Sequence, residues 1–127
     1  MNRITFIDND IQHASLPKDA FDLVILSNMC HHEDGPGNIA LFKKSFETLV
    51  SGGQLVIHDY VPNNDRTGPS FPLLFAVYML AINPRGGSYT FEEYKSWLQE
   101  ANFQKPILYT PVPGAYGDTS LIIANKP

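Results

Sequence analysis

Histidine and carboxylate side chains follow two apolar segments of this chain at matching places. His31 comes shortly after the run Leu23–Leu26, and Asp59 comes shortly after Gln54–Ile57. If the two runs form neighbouring parallel strands, both polar groups lie at the edge of the sheet where open α/β folds bind ligands. An imidazole oriented by a carboxylate can act as a general base near neutral pH. The spacing therefore predicts acid–base chemistry at this edge.

A helix between the two runs would make them parallel. Gly35–Asn38 is predicted to be a turn, with Asn38 as the helix N-cap. Apolar residues then recur at helical spacing, and Gly52–Gly53 is predicted to close the helix before a strand over Gln54–Tyr60. The apolar face of this predicted helix consists of Ile39, Phe42, Phe46 and Leu49.

Further elements are predicted on either side of this unit. Ile4–Ile7 is predicted to be a short strand that ends in an acidic turn. Ser70 is predicted to cap a largely apolar helix, and Thr90 with Glu93 forms the capping-box pattern of another. Two final strands, joined by a Pro/Gly-rich link too short for a crossover helix, are predicted to be antiparallel neighbours: Ile107–Thr110 and Thr119–Ala124.

Composition narrows the class of protein. The 127 residues suffice for one domain, and 43% hydrophobic with 17% charged residues is typical of a globular fold. A net charge of −4 with scattered basic residues argues against a nucleic-acid partner. The longest apolar run, Phe71–Ile82, is too short to span a membrane. The N-terminus has no secretory pattern and Cys30 is the single cysteine, so we expect a cytoplasmic protein.

Three segments together resemble the C-terminal part of class I S-adenosylmethionine-dependent O-methyltransferases, the plant phenol-type enzymes and their bacterial relatives. A glycine pair precedes a strand that ends in Asp59, and a Met-Leu helix, a Gly-Gly turn and a Thr-capped helix follow in the family's order. The resemblance extends from Ile4 to Pro127. The matching segments read GGQLVIHDY, MLAINPRGGSYT and FEEYKSWLQEANF.

The resemblance implies an α/β fold. Residues 1–127 would be the C-terminal portion of a methyltransferase catalytic domain, with the third to seventh strands of a partial Rossmann-like sheet, helices on both faces and an antiparallel C-terminal edge. The family orders its strands third, second, first, fourth, fifth, seventh, sixth. The glycine-rich loop and the first two strands have no counterpart in this sequence, which would leave Leu23–Leu26 with an unpaired edge.

The resemblance also implies site residues. His31 would deprotonate a hydroxyl of a small-molecule acceptor, and Asp59 would orient that histidine. S-adenosylmethionine would be the cofactor, with Asp10 facing the adenine, and no metal is implied. The other implied cofactor residues are Asn9, Ile11, Ser27 and Asn28. The implied substrate-pocket residues are Met29, Phe75, Tyr78 and Met79.

Two departures from the family pattern leave alternatives open. Ser88 occupies the place of a second acid, and Glu33 the place of an aromatic residue. Catalysis by proximity alone and a different acceptor are therefore the alternatives to a histidine base. A second hypothesis is a non-catalytic fragment or interaction module. The expected protein partner is a separate N-terminal half polypeptide or a second copy in a homo-oligomer, and no binding to a membrane is expected. A metal-dependent hydrolase is a third, although its donors lack the usual ligand spacing: His31, His32, Glu33, Asp34, His58 and Asp59.

Overall fold

The computed structural model describes residues 3–110 and 118–127 and shows an α/β fold, as predicted. These residues form four strands and three helices, with a short 3₁₀ turn after the first strand. The elements are β1 (Phe21–Ser27), the 3₁₀ turn (Cys30–His32), α1 (Gly35–Thr48), β2 (Leu49–Tyr60), α2 (Ser70–Ile82), α3 (Phe91–Glu100), β3 (Gln104–Tyr109) and β4 (Thr119–Asn125).

The strands form one mixed sheet in the order β1-β2-β4-β3. β1 pairs with β2 in parallel, with Leu26 opposite Ile57, while β4 runs antiparallel to both β2 and β3. This confirms the parallel unit and the antiparallel C-terminal pair. It is also the family's order of fourth, fifth, seventh and sixth strands. Residues 111–117, which hold most of the predicted Pro/Gly-rich link, lie outside the described residues.

One face of the sheet carries the core. Alternate residues of β2 point to this face, and Leu55 and Ile57 are at most 1% exposed there. α1 contributes Phe42 and α3 contributes Tyr94, both fully buried, because each helix repeats its apolar residues at helical spacing. The remaining fully or nearly buried apolar residues of this cluster are Leu26, Cys30, Leu41, Leu49, Val61, Leu98, Ala101, Phe103, Ile122 and Ala124.

The opposite face of the sheet is uncovered in the part of the chain that the structure describes. Leu23 and Ile25 of β1 are 47% and 59% exposed, and Ile107 and Tyr109 of β3 are each 50% exposed. The expected helices on both faces are therefore seen on one face only, since α2 lies beyond the end of β2, against Tyr60. We call Leu23, Ile25, Ile107 and Tyr109 the bare face.

The predicted strand over Ile4–Ile7 is wrong. This segment pairs with no strand of the described sheet, and Phe6 is 91% exposed. The chain that follows runs along α1 instead, where the Lys44 ammonium donates to the backbone oxygens of Ile11 and Ala14, both at 2.7 Å. β-branched and aromatic residues favour a strand only where a partner strand is available.

Both predicted ends of α1 are also corrected. The helix begins at Gly35, and the Asp34 carboxylate caps it by accepting from the Gly37 N–H at 2.8 Å. Asn38 is buried within the helix, not its cap. The helix ends at Thr48, and the glycine pair lies inside β2, where Gly52 has φ +83° and its N–H donates to the Lys126 carbonyl. Gly52 therefore supplies the positive φ at an irregular part of the strand instead of closing the helix.

Of the predicted N-caps of α2 and α3, the first is wrong and the second is confirmed. Ser70 is the first residue of α2 and not its cap, which is Pro69 and makes no side-chain hydrogen bond. The capping box of α3 is confirmed, with reciprocal hydrogen bonds between Thr90 and Glu93. Within residues 3–110 and 118–127, no helix is both long and apolar enough to cross a bilayer.

Candidate active site

The structure brings His31 and Asp59 together at the carboxyl end of the two parallel strands. Asp59 lies on the core side of β2 and is fully buried. Its carboxylate accepts from His31 Nδ1 at 2.8 Å, from the His31 backbone N–H at 3.1 Å and from the Tyr60 backbone N–H at 2.8 Å. A buried carboxylate with several N–H donors is well satisfied and holds the imidazole in one orientation.

The 3₁₀ turn that carries His31 is held by its neighbours. The Asn38 amide donates to the Cys30 carbonyl at 3.0 Å, and the Gly87 N–H donates to the His31 carbonyl at 3.0 Å. A Cβ atom on Gly86 would lie 2.5 Å from that carbonyl oxygen and 2.4 Å from the Met79 methyl group. Position 86 therefore requires glycine, because a larger residue would clash with the turn that carries His31. The sequence predicted a turn at Gly86 but not this close packing.

An aromatic wall borders the imidazole. The Phe75 ring meets His31 edge-on at 4.8 Å, and Tyr60 lies 4.6 Å from Phe75, both measured between ring centroids. Beyond this wall, α2 forms an open and almost wholly apolar cleft of about 350 Å³. The cleft is lined by Phe71, Leu74, Phe75 and Tyr78.

The four predicted pocket residues divide into two pairs. Phe75 and Tyr78 line the cleft. Met79 is 1% exposed and packs beneath Gly86, and Met29 is half-buried against the core. Met79 is therefore closed to a ligand, whereas Met29 is half-buried, as Phe75 is.

Asp10 lies in a different cleft, of about 450 Å³, beside the start of α1. Its carboxylate accepts from the Gln12 N–H at 3.0 Å and pairs with His13 at 3.0 Å, and these hydrogen bonds lower its pKa. An exposed carboxylate that stays ionised can accept from an exocyclic amine, so this residue fits the adenine end of S-adenosylmethionine. Glu33 and Asp34 also line this cleft.

The residues beside Asp10 are less open. Ile11 is half-buried and packs against the core, so only part of its side chain can meet an adenine ring. Asn9 is exposed, and its side-chain oxygen accepts from the Asp10 N–H at 2.8 Å. Asn9 therefore shapes the turn that presents the carboxylate.

Ser27 and Asn28 lie at the end of β1 and are both exposed. The Ser27 hydroxyl is 3.0 Å from His58 Nδ1, and the Asn28 N–H donates to the His58 carbonyl at 2.9 Å. Asn28 has φ +54°, a conformation that asparagine tolerates better than most residues. The sequence did not indicate the Ser27–His58 contact, because the two residues meet only through strand register.

A buried thiol and a half-buried phenol next to the site are held neutral. Burial, with the nearby Asp59 and Glu33 carboxylates, raises the pKa of the Cys30 thiol well above its usual value. Burial also raises the pKa of Tyr89 to about 12, and its hydroxyl donates to the Glu33 carbonyl. Neither group supplies a nucleophile at neutral pH.

Two further observations concern the predicted donors. Ser88, in the place of the family's second acid, is 3% exposed, and its hydroxyl has no hydrogen-bond partner among the described residues. Across residues 3–110 and 118–127, no group of three or more His, Cys, Asp or Glu side chains is arranged to hold a metal ion.

The fold and site define an α/β domain with a buried histidine–aspartate pair at the carboxyl edge of its parallel strands. The chain belongs to the O-methyltransferase domain family, whose family model matches residues 1–104. The class I fold resemblance is thereby confirmed.

Individual relatives agree with this membership. A putative O-methyltransferase from Nostoc punctiforme superposes with a TM-score of 0.86 at 32% identity, over 94% of this chain and 36% of that chain. An O-methyltransferase family 2 protein from Planctomyces limnophilus, in complex with apigenin, has a TM-score of 0.77 at 29% identity, over 94% and 33%. The S-adenosyl-L-methionine-dependent methyl transferase PigF from Serratia is 25% identical over 98% of this chain and 34% of its own length. The chain thus spans about a third of the relatives it matches.

Proposed function

We propose that this chain forms the acceptor side of an S-adenosylmethionine-dependent O-methyltransferase that acts on a hydroxyl of a small molecule. The buried His31–Asp59 pair, with Nδ1 and Oδ1 2.8 Å apart beside an apolar cleft, is the observation that carries the proposal. His31 is the proposed base and Asp59 the residue that orients it.

Bound S-adenosylmethionine supplies a methyl group activated on a sulfonium sulfur. The residues of this chain supply alignment and a proton acceptor. Asp59 holds a proton on His31 Nδ1, which leaves the lone pair of Nε2 to take the proton of the acceptor hydroxyl. Phe75, whose ring meets the imidazole edge-on, excludes water from that side of the base.

A phenol is the acceptor class that the cleft favours. Its lining on α2 is almost wholly apolar and mainly aromatic, and aromatic rings pack well against one another. The complex of the Planctomyces relative with apigenin, a polyphenol, supports the same class. Phe75 and Tyr78 are the proposed acceptor contacts, with Met29 and Met79 behind them.

Cofactor binding is proposed for Asp10, which would accept from the adenine amine, with Asn9 and Ile11 beside it. Ser27 and Asn28 are the proposed contacts to the methionine end. Asp10→Asn should weaken S-adenosylmethionine binding about tenfold or more, since a hydrogen bond to a charged group contributes roughly 1.5–3 kcal/mol. The exposed Asp8→Asn is the matched control.

We further propose that residues 1–127 are the C-terminal portion of a catalytic domain and act with a segment that completes it, supplied by an N-terminal half polypeptide or by a second copy. The bare face supports this, as does the edge of β1, which has no partner strand within the described sheet. A cytoplasmic location remains a prediction.

A non-catalytic fragment is the second candidate, favoured by the same bare face and by Ser88 in the place of an acid.

Calorimetry distinguishes the methyltransferase from the non-catalytic fragment. S-adenosylmethionine is titrated into this chain alone and into a fusion of the chain with the upstream part of the Nostoc relative, called the fusion domain below. A dissociation constant below about 1 mM (roughly −4 kcal/mol) in either protein supports the methyltransferase. No binding in both contradicts it.

A further inference from the structure

His32 lies directly against the nitrogen that the proposed base would use. The Nε2 atoms of His31 and His32 are 3.1 Å apart, and the two ring centroids are 4.3 Å apart. The His31 side chain is only 7% exposed, whereas His32 is exposed. The exposed His32 ring therefore lies between the proposed base nitrogen, His31 Nε2, and solvent.

The hydrogen bonds determine where the protons lie. The Asp59 carboxylate can only accept, so neutral His31 carries its proton on Nδ1 and presents a lone pair on Nε2. For the short contact between the rings to be a hydrogen bond, His32 Nε2 must carry a proton and donate it; these tautomers are assigned from the network. Because an imidazole nitrogen has a single lone pair, an acceptor hydroxyl must displace His32 before it can bind His31.

We propose that His32 is a proton-relay residue: it donates to the base nitrogen of His31 in the resting site and carries the proton away after methyl transfer. This rests on the proposed function of His31. The O–H bond of the acceptor breaks and an N–H bond forms on His31 Nε2. That N–H bond then breaks, an N–H bond forms on His32 Nε2, and His32 releases its Nδ1 proton to water.

The cycle closes on its starting arrangement. While His32 is displaced, its exposed ring can exchange the proton between its two nitrogens through water, so Nε2 is free to accept when the ring returns. After the relay, His32 again carries a proton on Nε2 and donates to the lone pair of His31. One proton leaves for each methyl group transferred, which balances the reaction.

The other groups around His31 and His32 are aromatic rings and an ion pair. The Phe75 ring meets the His31 ring edge-on at 4.8 Å, and the Tyr60 ring lies 6.4 Å from it, both between centroids. The nearby Glu33 carboxylate is paired with the Arg85 guanidinium at 2.9 Å. The backbone of His32 is held by the Asn83 amide, which donates to its carbonyl at 3.0 Å, so the side chain can move while the turn stays in place.

The fusion domain tests the relay in turnover. His32→Ala should complete a first methyl transfer at least as fast as the wild type and then slow, and added imidazole should restore kcat without changing the variant's own KM for a phenolic acceptor. Wild-type kcat without imidazole, or a loss that imidazole does not restore, would overturn the relay. If the wild-type domain transfers no methyl group, the proposed function fails instead, and the following test on this chain alone decides the role of His32.

Diethyl pyrocarbonate acylates unprotonated imidazole nitrogens and can be read at each histidine by fragment-ion mass spectrometry. His32→Phe keeps a ring over His31 but cannot donate, so acylation of His31 should accelerate roughly two- to tenfold, the range expected for loss of one neutral hydrogen bond. His32→Gln retains a donor and should protect His31 as the wild type does, as should the exposed control Lys43→Gln. If His31 reacts equally fast in the Phe and Gln variants, His32 is only a steric cover and the inference is overturned.

Discussion

At the scale of single residues, the meeting of His31 and Asp59 could be predicted because it depends on simple geometry. Both residues follow strands that run in parallel side by side, so both reach the same sheet edge. The contact of His31 with His32 could not be predicted, since neighbouring residues on an extended segment point apart. The 3₁₀ turn Cys30–His32 changes their directions, and nothing in the local sequence announced that turn.

Cys30 offers a prediction at this scale. Burial and two nearby carboxylates raise its pKa, so the reactive thiolate is scarce in the folded protein. Iodoacetamide at mildly alkaline pH should label Cys30 much more slowly in the native chain than in urea. The exposed Ser96→Cys serves as a positive control, because a thiol on the outer side of α3 should react at the same rate in both states. Equal native and denatured labelling of Cys30 would contradict the buried position.

At the scale of elements, the strand pairings and the capping box of α3 were predicted correctly, whereas the caps of α1 and α2 and the role of the glycine pair were not. The capping box of α3 needs only residues three apart, and it was read correctly from Thr90 and Glu93. Gly52–Gly53 was misread because glycine after a helical pattern usually ends the helix. Here β4 reaches as far as Asn125, and Lys126 bonds to the glycine pair, so tertiary contacts extend β2.

The capping box can be tested by its contribution to stability. Thr90→Ala removes the hydroxyl that accepts from the Glu93 N–H at 3.3 Å. Loss of such a cap should lower the free energy of unfolding by about 0.5–2 kcal/mol. Urea unfolding measures it, with Ser96→Ala on the exposed side of α3 as the control, expected to change stability by less than about 0.5 kcal/mol. A Thr90→Ala variant as stable as this control would show that the cap contributes nothing.

At the scale of the whole molecule, the uneven covering of the sheet is the dominant feature. The sequence predicted an unpaired edge at Leu23–Leu26, and the structure shows β1 as an edge strand. The sequence did not predict the bare face, because a strand buried on one face and a strand buried on both faces have similar short apolar runs. Exposed edges and apolar faces favour association with other chains.

Self-association of the isolated chain follows from this exposure. The chain should form dimers or larger species in sedimentation velocity, and Leu23→Thr with Ile25→Thr should reduce their fraction, since both side chains lie on the bare face and are about half exposed. The matched control is Lys43→Thr with Glu47→Thr on the exposed side of α1. A monomeric wild type, or an equal reduction of the associated fraction by the control pair, would contradict association through the bare face.

Methyl transfer itself is the most direct test of the central claim that His31, oriented by Asp59, is the base of an O-methyltransferase. Transfer of labelled methyl from S-adenosylmethionine to a phenol such as apigenin is measured with this chain alone and in the fusion domain. We predict methyl transfer by the fusion domain with the wild-type sequence and with Lys43→Gln. His31→Asn should lower the rate of transfer about 10²- to 10⁴-fold, the usual contribution of a general base, and leave the affinity for the cofactor unchanged. A wild-type rate in His31→Asn, or cofactor binding without any transfer by the wild type, would contradict the account.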